Sequence, residues 1–167
     1  IALEGSAFFQ VLLPDGRLGY TRNGTFSQNS DGVITTSSGY ILQPEIQIPD
    51  NVTNINISGD GIVSAIVAGE IAAQELGQIT IADFTNRSGL QPIGESFYVE
   101  TAASGAAAVA NPTEQGFGKL IQGALESSNV NVVQELVSMI ETQRAYEVSS
   151  KSITSVDEML RFISQNL

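Results

Sequence analysis

The side chains that could carry out chemistry in this 167-residue chain are its carboxylates, because histidine and cysteine are both absent. Their absence rules out a Ser-His-Asp triad, a cysteine nucleophile and metal sites built on imidazole or thiolate. Two carboxylates could still hydrolyse a glycosidic bond. However, Asp15, Asp31, Asp60 and Asp83 lie in or beside predicted turns, where aspartate hydrogen-bonds the backbone. We therefore predict turn-forming roles for them, no catalytic residues and no enzyme activity, and the carboxylate hydrolase is the weakest hypothesis.

Two of these turns have a weak likeness to calcium-binding loops. They are SQNSDG at residues 27–32 and NISGDG at residues 56–61. Both lack the aspartate at the first position and the glutamate at the twelfth position that such a loop needs. We therefore predict no metal site and no cofactor.

The charge of the chain argues against two classes of partner. The formal net charge is −11, and the seven basic residues form no patch. An acidic surface is repelled by phosphate backbones and by anionic lipid. No apolar run reaches the ~18 residues that a membrane span needs. We therefore predict no nucleic-acid partner and no membrane insertion.

Turn signals divide the first hundred residues into short β-strand candidates. Pro14-Asp15-Gly16 and Asn23-Gly24 each separate two apolar segments, and Asn-Gly is a strong hairpin signal. Residues 101–118 are small and polar, which predicts a flexible connector. The sequence thus predicts a mainly β fold: a hairpin-rich domain over residues 1–118, which includes this connector from about residue 101.

The remaining residues, 119–167, are predicted to form a second part dominated by one long α-helix. Glycine and proline are absent from residue 132 onward, and a helix of that length would extend ~50 Å at ~1.5 Å per residue. Asn131 is the predicted N-cap, with Gln134 three residues later as in a capping box. A ~50 Å helix is too long to pack along a domain of some 100 residues, whose radius of gyration is ~13 Å.

The predicted helix repeats an apolar residue at every seventh position, which is typical of a left-handed coiled-coil seam. We predict an assembly seam made of Val132, Leu136, Met139, Ile140, Tyr146, Ile153, Val156, Leu160 and Ile163. Polar residues beside a seam fix its register and its partner. The predicted polar assembly contacts are Gln143, Arg144, Glu147, Asn129 and Asn131.

Two stretches resemble the axial rod and hook proteins of the bacterial flagellum. The first is GSAFFQVLLPDGRLGYTRNGTFSQNSDGVITTSSGYILQP, residues 5–44, which resembles the opening of that family's β-domain. The second is QGALESSNVNVVQELVSMIETQRAYEVSSKSI, residues 122–153, which is similar to its C-terminal signature. Ser149 departs from the asparagine that is usual there. Within the family, the likeness is greatest to the members that build the distal rod.

The resemblance implies a structural subunit of the flagellar basal body, in the rod that crosses the periplasm to the outer membrane. Such subunits assemble with copies of themselves into a helical tube that transmits torque from the motor to the hook. Their other implied partners are further rod proteins, the hook and the surrounding ring proteins. The resemblance also implies an N-terminal helix that pairs with the C-terminal one, and we expect this chain to be a fragment without it.

Two alternatives remain beside the distal rod. One is a hook subunit or a proximal rod subunit, which would keep the same assembly mechanism. The other is a non-flagellar binding protein that carries a β-domain on a coiled-coil stalk. A stalked binder would form a small oligomer of defined size, with an exposed pocket or aromatic patch on its β-domain.

Overall fold

The computed structural model describes residues 1–69, 72–114 and 116–165, with the side chains of the C-terminal helix described as far as Arg161. The chain divides into two compact units, Ile1–Glu126 and Ser127–Leu167. We call them the β unit and the helix unit. The first is built of β-sheets and the second contains one long α-helix, which confirms the predicted fold class.

Fourteen short strands and one α-helix are found within the described residues. They are β1 (Ala2–Leu3), β2 (Phe8–Leu12), β3 (Leu18–Thr21), β4 (Phe26–Gln28), β5 (Ile34–Thr36), β6 (Ile41–Gln43), β7 (Val52–Ile57), β8 (Ile62–Val67), β9 (Gln74–Gln78), β10 (Ile81–Asp83), β11 (Gln91–Gly94), β12 (Phe97–Val99), β13 (Ala108–Ala110), β14 (Leu120–Ile121) and α1 (Val132–Gln165).

The largest sheet is antiparallel and has the order β11-β12-β3-β2-β6-β5-β4, while β10 pairs with both β2 and β13. The turn at Pro14-Asp15-Gly16 joins β2 to β3 as predicted, and the Gly16 amide donates to the Leu13 carbonyl over 3.0 Å. Gly16 has a φ of +81°, a conformation that glycine adopts without steric cost.

The second predicted hairpin, at Asn23-Gly24, is wrong. Strand β4 pairs with β5 at the far edge of the sheet and not with β3. The Asn23 side chain accepts the Thr25 amide over 3.0 Å, and a Cβ at Gly24 would lie 1.7 Å from the Ile1 carbonyl oxygen. Contacts with a distant part of the chain therefore decide the backbone path here.

Two smaller sheets complete the β unit, one with the order β7-β8-β9 and one that pairs β1 with β14. The main core contains Phe9, Leu42, Val63, Ile79 and Ile81, each with no exposed surface. A second cluster contains Phe8, Tyr20 and Phe84 in edge-to-face contact. Alternate residues of short strands thus supply two adjoining apolar layers.

The segment 101–118, for which the sequence predicts a flexible connector, is partly folded onto the β unit. Strand β13 pairs with β10, and Ser104 is 1% exposed. The Ser104 hydroxyl donates to the Thr101 carbonyl over 2.9 Å. The domain boundary at residue 118 stays a prediction, and β14 lies beyond it within the β unit.

Candidate assembly interface

The helix begins where the sequence predicts. The Asn131 side-chain oxygen accepts the backbone amides of Val133 at 3.1 Å and Gln134 at 3.4 Å. These are the second and third residues of α1, which are the amides that an N-cap satisfies. Glu135 lies in the first turn, where a negative charge favours the positive end of the helix dipole. The local sequence therefore fixes the start of α1, and Asn131 acts within its own chain.

An exposed apolar line runs along α1 at the heptad spacing. Val132, Met139, Tyr146, Ile153 and Leu160 expose between 58% and 77% of their surface. Burying one such side chain contributes about 1.5–3 kcal/mol. Because an α-helix has 3.6 residues per turn, the line drifts by ~20° per heptad and stays on one side of the helix. The line can therefore bind a long apolar surface of another helix.

Further apolar residues flank this line, and they change sides along the helix. At ~100° per residue, Leu136 and Ile140 lie to one side of the line, whereas Val156 and Met159 lie to the other. All four are at least half exposed. Met159 is not among the residues predicted from the sequence, although its spacing from Val156 could have identified it. The two halves of α1 therefore offer apolar surface in different directions, which suits contact with more than one neighbour.

The other predicted assembly residues are exposed wherever the structure describes them. Gln143, Arg144, Glu147 and Asn129 are all exposed. The side chain of Ile163 lies outside the described residues. The structure assigns no partner to the seam or to the polar contacts, so both sets stay predictions. Within the described part of the chain, no helix combines the length and apolarity of a membrane span.

Three aspartates of the β unit lie in the wrong electrostatic setting for a general acid. The Arg87 guanidinium hydrogen-bonds Asp83 over 2.8 Å and lowers the pKa of that carboxyl. Hydrogen bonds from Arg17 lower the pKa of Asp15, and the Ser58 hydroxyl lowers the pKa of Asp60. A catalytic acid needs a raised pKa. These three aspartates are instead held as anions by turn and ion-pair contacts.

The described residues contain no group of three or more carboxylates arranged to hold a metal ion. One depression on the β unit is open to solvent, has a volume of about 570 Å³ and is lined by Ser30, Asp31, Gln47 and Asp50, among others. A small-molecule site is typically enclosed and mostly apolar, and this depression is neither.

Two protein families match the chain. The D1 domain of the flagellar hook protein FlgE/F/G matches residues 2–65, and the C-terminal region of the flagellar basal-body rod FlgEFG proteins matches residues 121–166. The first match covers β1 to most of β8, and the second covers the last residue of β14 and the whole of α1. The matches therefore fall at both ends of the chain and include the helix that carries the exposed line.

Curated relatives give the same result over nearly the whole chain. The flagellar basal-body rod protein FlgG of Buchnera aphidicola from Acyrthosiphon pisum is 51% identical over 99% of this chain and 64% of its own length. FlgG of Caulobacter vibrioides is 47% identical over 99% of this chain and 63% of its own length. The hook protein FlgE of Salmonella typhimurium is 38% identical over 77% of this chain and 30% of its own length. The chain thus spans under two thirds of the length of the rod proteins that it matches.

Domain matches at both ends and high identity across the β unit and α1 are not produced by shared composition alone. The chain belongs to the flagellar basal-body rod and hook protein family, in its FlgG-like rod group.

Proposed function

We propose that this chain is a structural subunit of the distal rod of the bacterial flagellum. Copies of it assemble through α1 into a helical tube, and the tube transmits torque from the motor to the hook. The β unit surrounds this tube and supplies lateral contacts and stiffness. In this role the chain is not an enzyme.

The observation that carries the proposal is the exposed apolar line of α1, which lies in the part of the chain that matches the rod C-terminal region. A helix with this much apolar surface is stabilised chiefly by packing against other helices. When copies polymerise, each copy buries the apolar surface of its α1 against its neighbours. Val132, Leu136, Met139, Ile140, Tyr146, Ile153, Val156, Leu160 and Ile163 form the proposed seam.

The proposed partners follow from the same role. A tube subunit contacts copies of itself along the wall, and it contacts other rod proteins and the hook at the two ends of its segment. Ring proteins surround it. Gln143, Arg144 and Glu147 are exposed on α1 and are the proposed polar contacts that fix the register between copies. The acidic charge disfavours nucleic acid and anionic membranes as partners.

The test is immunoelectron microscopy of isolated and partly dissociated basal bodies with antibodies against the β unit. We expect label along the distal rod. Label on the hook or on the proximal rod would keep the assembly mechanism and assign a different axial segment. Absence of label from the whole flagellum, with a positive control on the hook, would contradict the proposal.

A further inference from the structure

Arg22, the residue after β3, connects three separate stretches of the β unit. Its Nε donates to both carboxylate oxygens of Glu126, over 3.0 and 2.8 Å. Its Nη1 donates to the Ala7 carbonyl over 2.9 Å, and its Nη2 donates to the Leu3 carbonyl over 3.4 Å. The guanidinium carbon lies 5.9 Å from the centre of the Phe8 ring. One side chain thus contacts the beginning and the end of the unit.

The end of the β unit is attached at two further points. Residues 120–126, which we call the exit segment, begin with β14, which pairs with β1. The Gln122 side chain donates to the Ile55 carbonyl and accepts the Ile57 amide, both over 2.9 Å. The Gln122 side chain therefore hydrogen-bonds the backbone at the edge of strand β7. Within residues 123–126, the side chain that hydrogen-bonds a residue distant in sequence is the Glu126 carboxylate.

The chemistry of this contact requires arginine in particular. The guanidinium is planar, always charged, and has five N–H donors directed in a fixed fork. Here it donates to a carboxylate and to two carbonyls at once, and the Arg22 side chain is only 27% exposed. Lysine is a point charge on a flexible stem and cannot reproduce these directions. The other ion pairs of arginine in this unit, Arg17–Asp15 and Arg87–Asp83, join residues close in sequence.

We propose that Arg22 is a positioning residue for assembly, which clasps the exit segment to the first strands of the β unit. The clasp fixes the place where the chain leaves the β unit toward α1. Without it, residues 123–126 would move independently of the rest of the β unit. The effect on assembly rests on the rod function proposed above, whereas the clasp itself does not.

The chain contains no cysteine, so a Leu125→Cys variant carries one nitroxide spin label at a defined and exposed position of the exit segment. We expect Arg22→Gln to sharpen the electron paramagnetic resonance spectrum of this label, because loop motion on the ~ns timescale is released. Arg22→Lys should sharpen it similarly. Sedimentation of the same variants should show a loss of polymer, while circular dichroism of the β unit stays unchanged.

Arg17→Gln is the matched control, since it removes the same charge and breaks an ion pair that does not touch the exit segment. It should change neither the spectrum nor the amount of polymer.

If Arg22→Gln disturbs the β unit, Glu126→Gln tests the clasp with the Ala7 and Leu3 contacts intact. An unchanged spectrum in the Arg22 and Glu126 variants would overturn the clasp. A released segment with normal polymer would overturn its role in assembly. Absence of polymer in the parent chain would instead contradict the proposed assembly of copies of this chain alone through α1, and the spectra would still decide the clasp.

Discussion

Among the glycines of the β unit, Gly118 has the least space for a side chain. A Cβ built there would lie 1.4 Å from the Glu4 carbonyl oxygen, which is a position that no side chain can occupy without backbone movement. We expect Gly118→Ala to lower the free energy of unfolding by at least about 1–3 kcal/mol, the range for overpacking. Denaturant unfolding followed by circular dichroism measures the change.

Gly59→Ala is the matched control for this substitution. The nearest atom to its added Cβ is the Leu120 carbonyl oxygen at 3.7 Å, which is ordinary contact. We expect no loss there, or a gain of about 0.4–1 kcal/mol from the restricted unfolded chain. Equal stabilities of the two variants would show that the approach of the Gly118 backbone to Glu4 does not constrain the fold.

Acid should destabilise the β unit partly through Asp83. Arg87 lowers the pKa of this carboxyl below its ordinary value of 3.8, and bonds from the Phe84 amide and the Ser6 hydroxyl add to the effect. The folded-state pKa of Asp83 lies below its unfolded-state pKa. The Asp83 carboxylate therefore contributes its full stabilisation to the fold when the pH is above the unfolded-state pKa. This stabilisation is lost as the pH falls through the folded-state value.

The measurement is the unfolding free energy of the wild-type chain and of Asp83→Asn between pH 7 and pH 3. At pH 7 the variant should be less stable by about 1 kcal/mol or less, because the pair is partly exposed. Below the ordinary pKa of 3.8, the difference between the two proteins should begin to shrink. A constant difference across this range would show that the carboxylate charge of Asp83 does not stabilise the fold.

At the scale of the elements, local signals succeed where neighbouring residues satisfy the backbone. Asn131 caps α1 with its own side chain, and Pro14-Asp15-Gly16 closes its own hairpin. Asn23-Gly24 fails as a hairpin because its path depends on Ile1. Arg22 was not identified as a contact residue, since its partner Glu126 lies 104 residues away in the sequence. A contact between residues so far apart in the chain produces no periodic pattern that a single sequence could reveal.

The N-cap offers a direct test of the start of α1. Replacement of Asn131 by alanine leaves the amides of Val133 and Gln134 without their side-chain acceptor. The expected cost is about 1 kcal/mol of helix stability, which is seen as a loss of helical circular dichroism on mild heating. Asn129→Ala, two residues earlier and outside the helix, should leave the helical signal unchanged. Equal loss in both variants would contradict the assignment of the cap.

The apolar line of α1 is tested by placing a charge on it. We expect Met139→Asp to abolish assembly and motility with the β unit still folded, since an unpaired carboxylate cannot be buried between helices without a large cost. Tyr146→Asp should act in the same way. Sedimentation and swimming assays give the readout.

Ser138→Asp is the matched control, because it adds the same charge at the neighbouring position, ~100° around the helix. It should assemble more readily than Met139→Asp. Motility that survives Met139→Asp and Tyr146→Asp would show that the seam is assigned to the wrong face of α1.

At the scale of the whole molecule, charge is divided unevenly between the two units. The β unit contains thirteen carboxylates and four basic residues, and the helix unit contains five and three. All four basic residues of the β unit pair with carboxylates of the same unit, namely Asp15, Glu126, Asp83 and Glu4. The basic residues of a β unit are therefore not available for ion pairs with the β unit of a neighbouring copy. Contacts between β units must be made by neutral polar and apolar groups.

This distribution predicts that salt promotes self-association. At about 0.01 M salt the Debye length is ~30 Å and acidic copies repel one another, whereas at about 0.1 M it is ~10 Å and the repulsion is largely screened. The apolar contacts of α1 do not weaken over this range, so the sedimenting fraction should rise with salt.

Combining Glu45→Gln with Asp50→Asn, both exposed, removes two charges and should weaken the dependence of the sedimenting fraction on salt. A polymer that dissolves as salt is added would instead require ionic contacts between copies. Those contacts would have to involve the basic residues of the helix unit, since the four of the β unit are already paired.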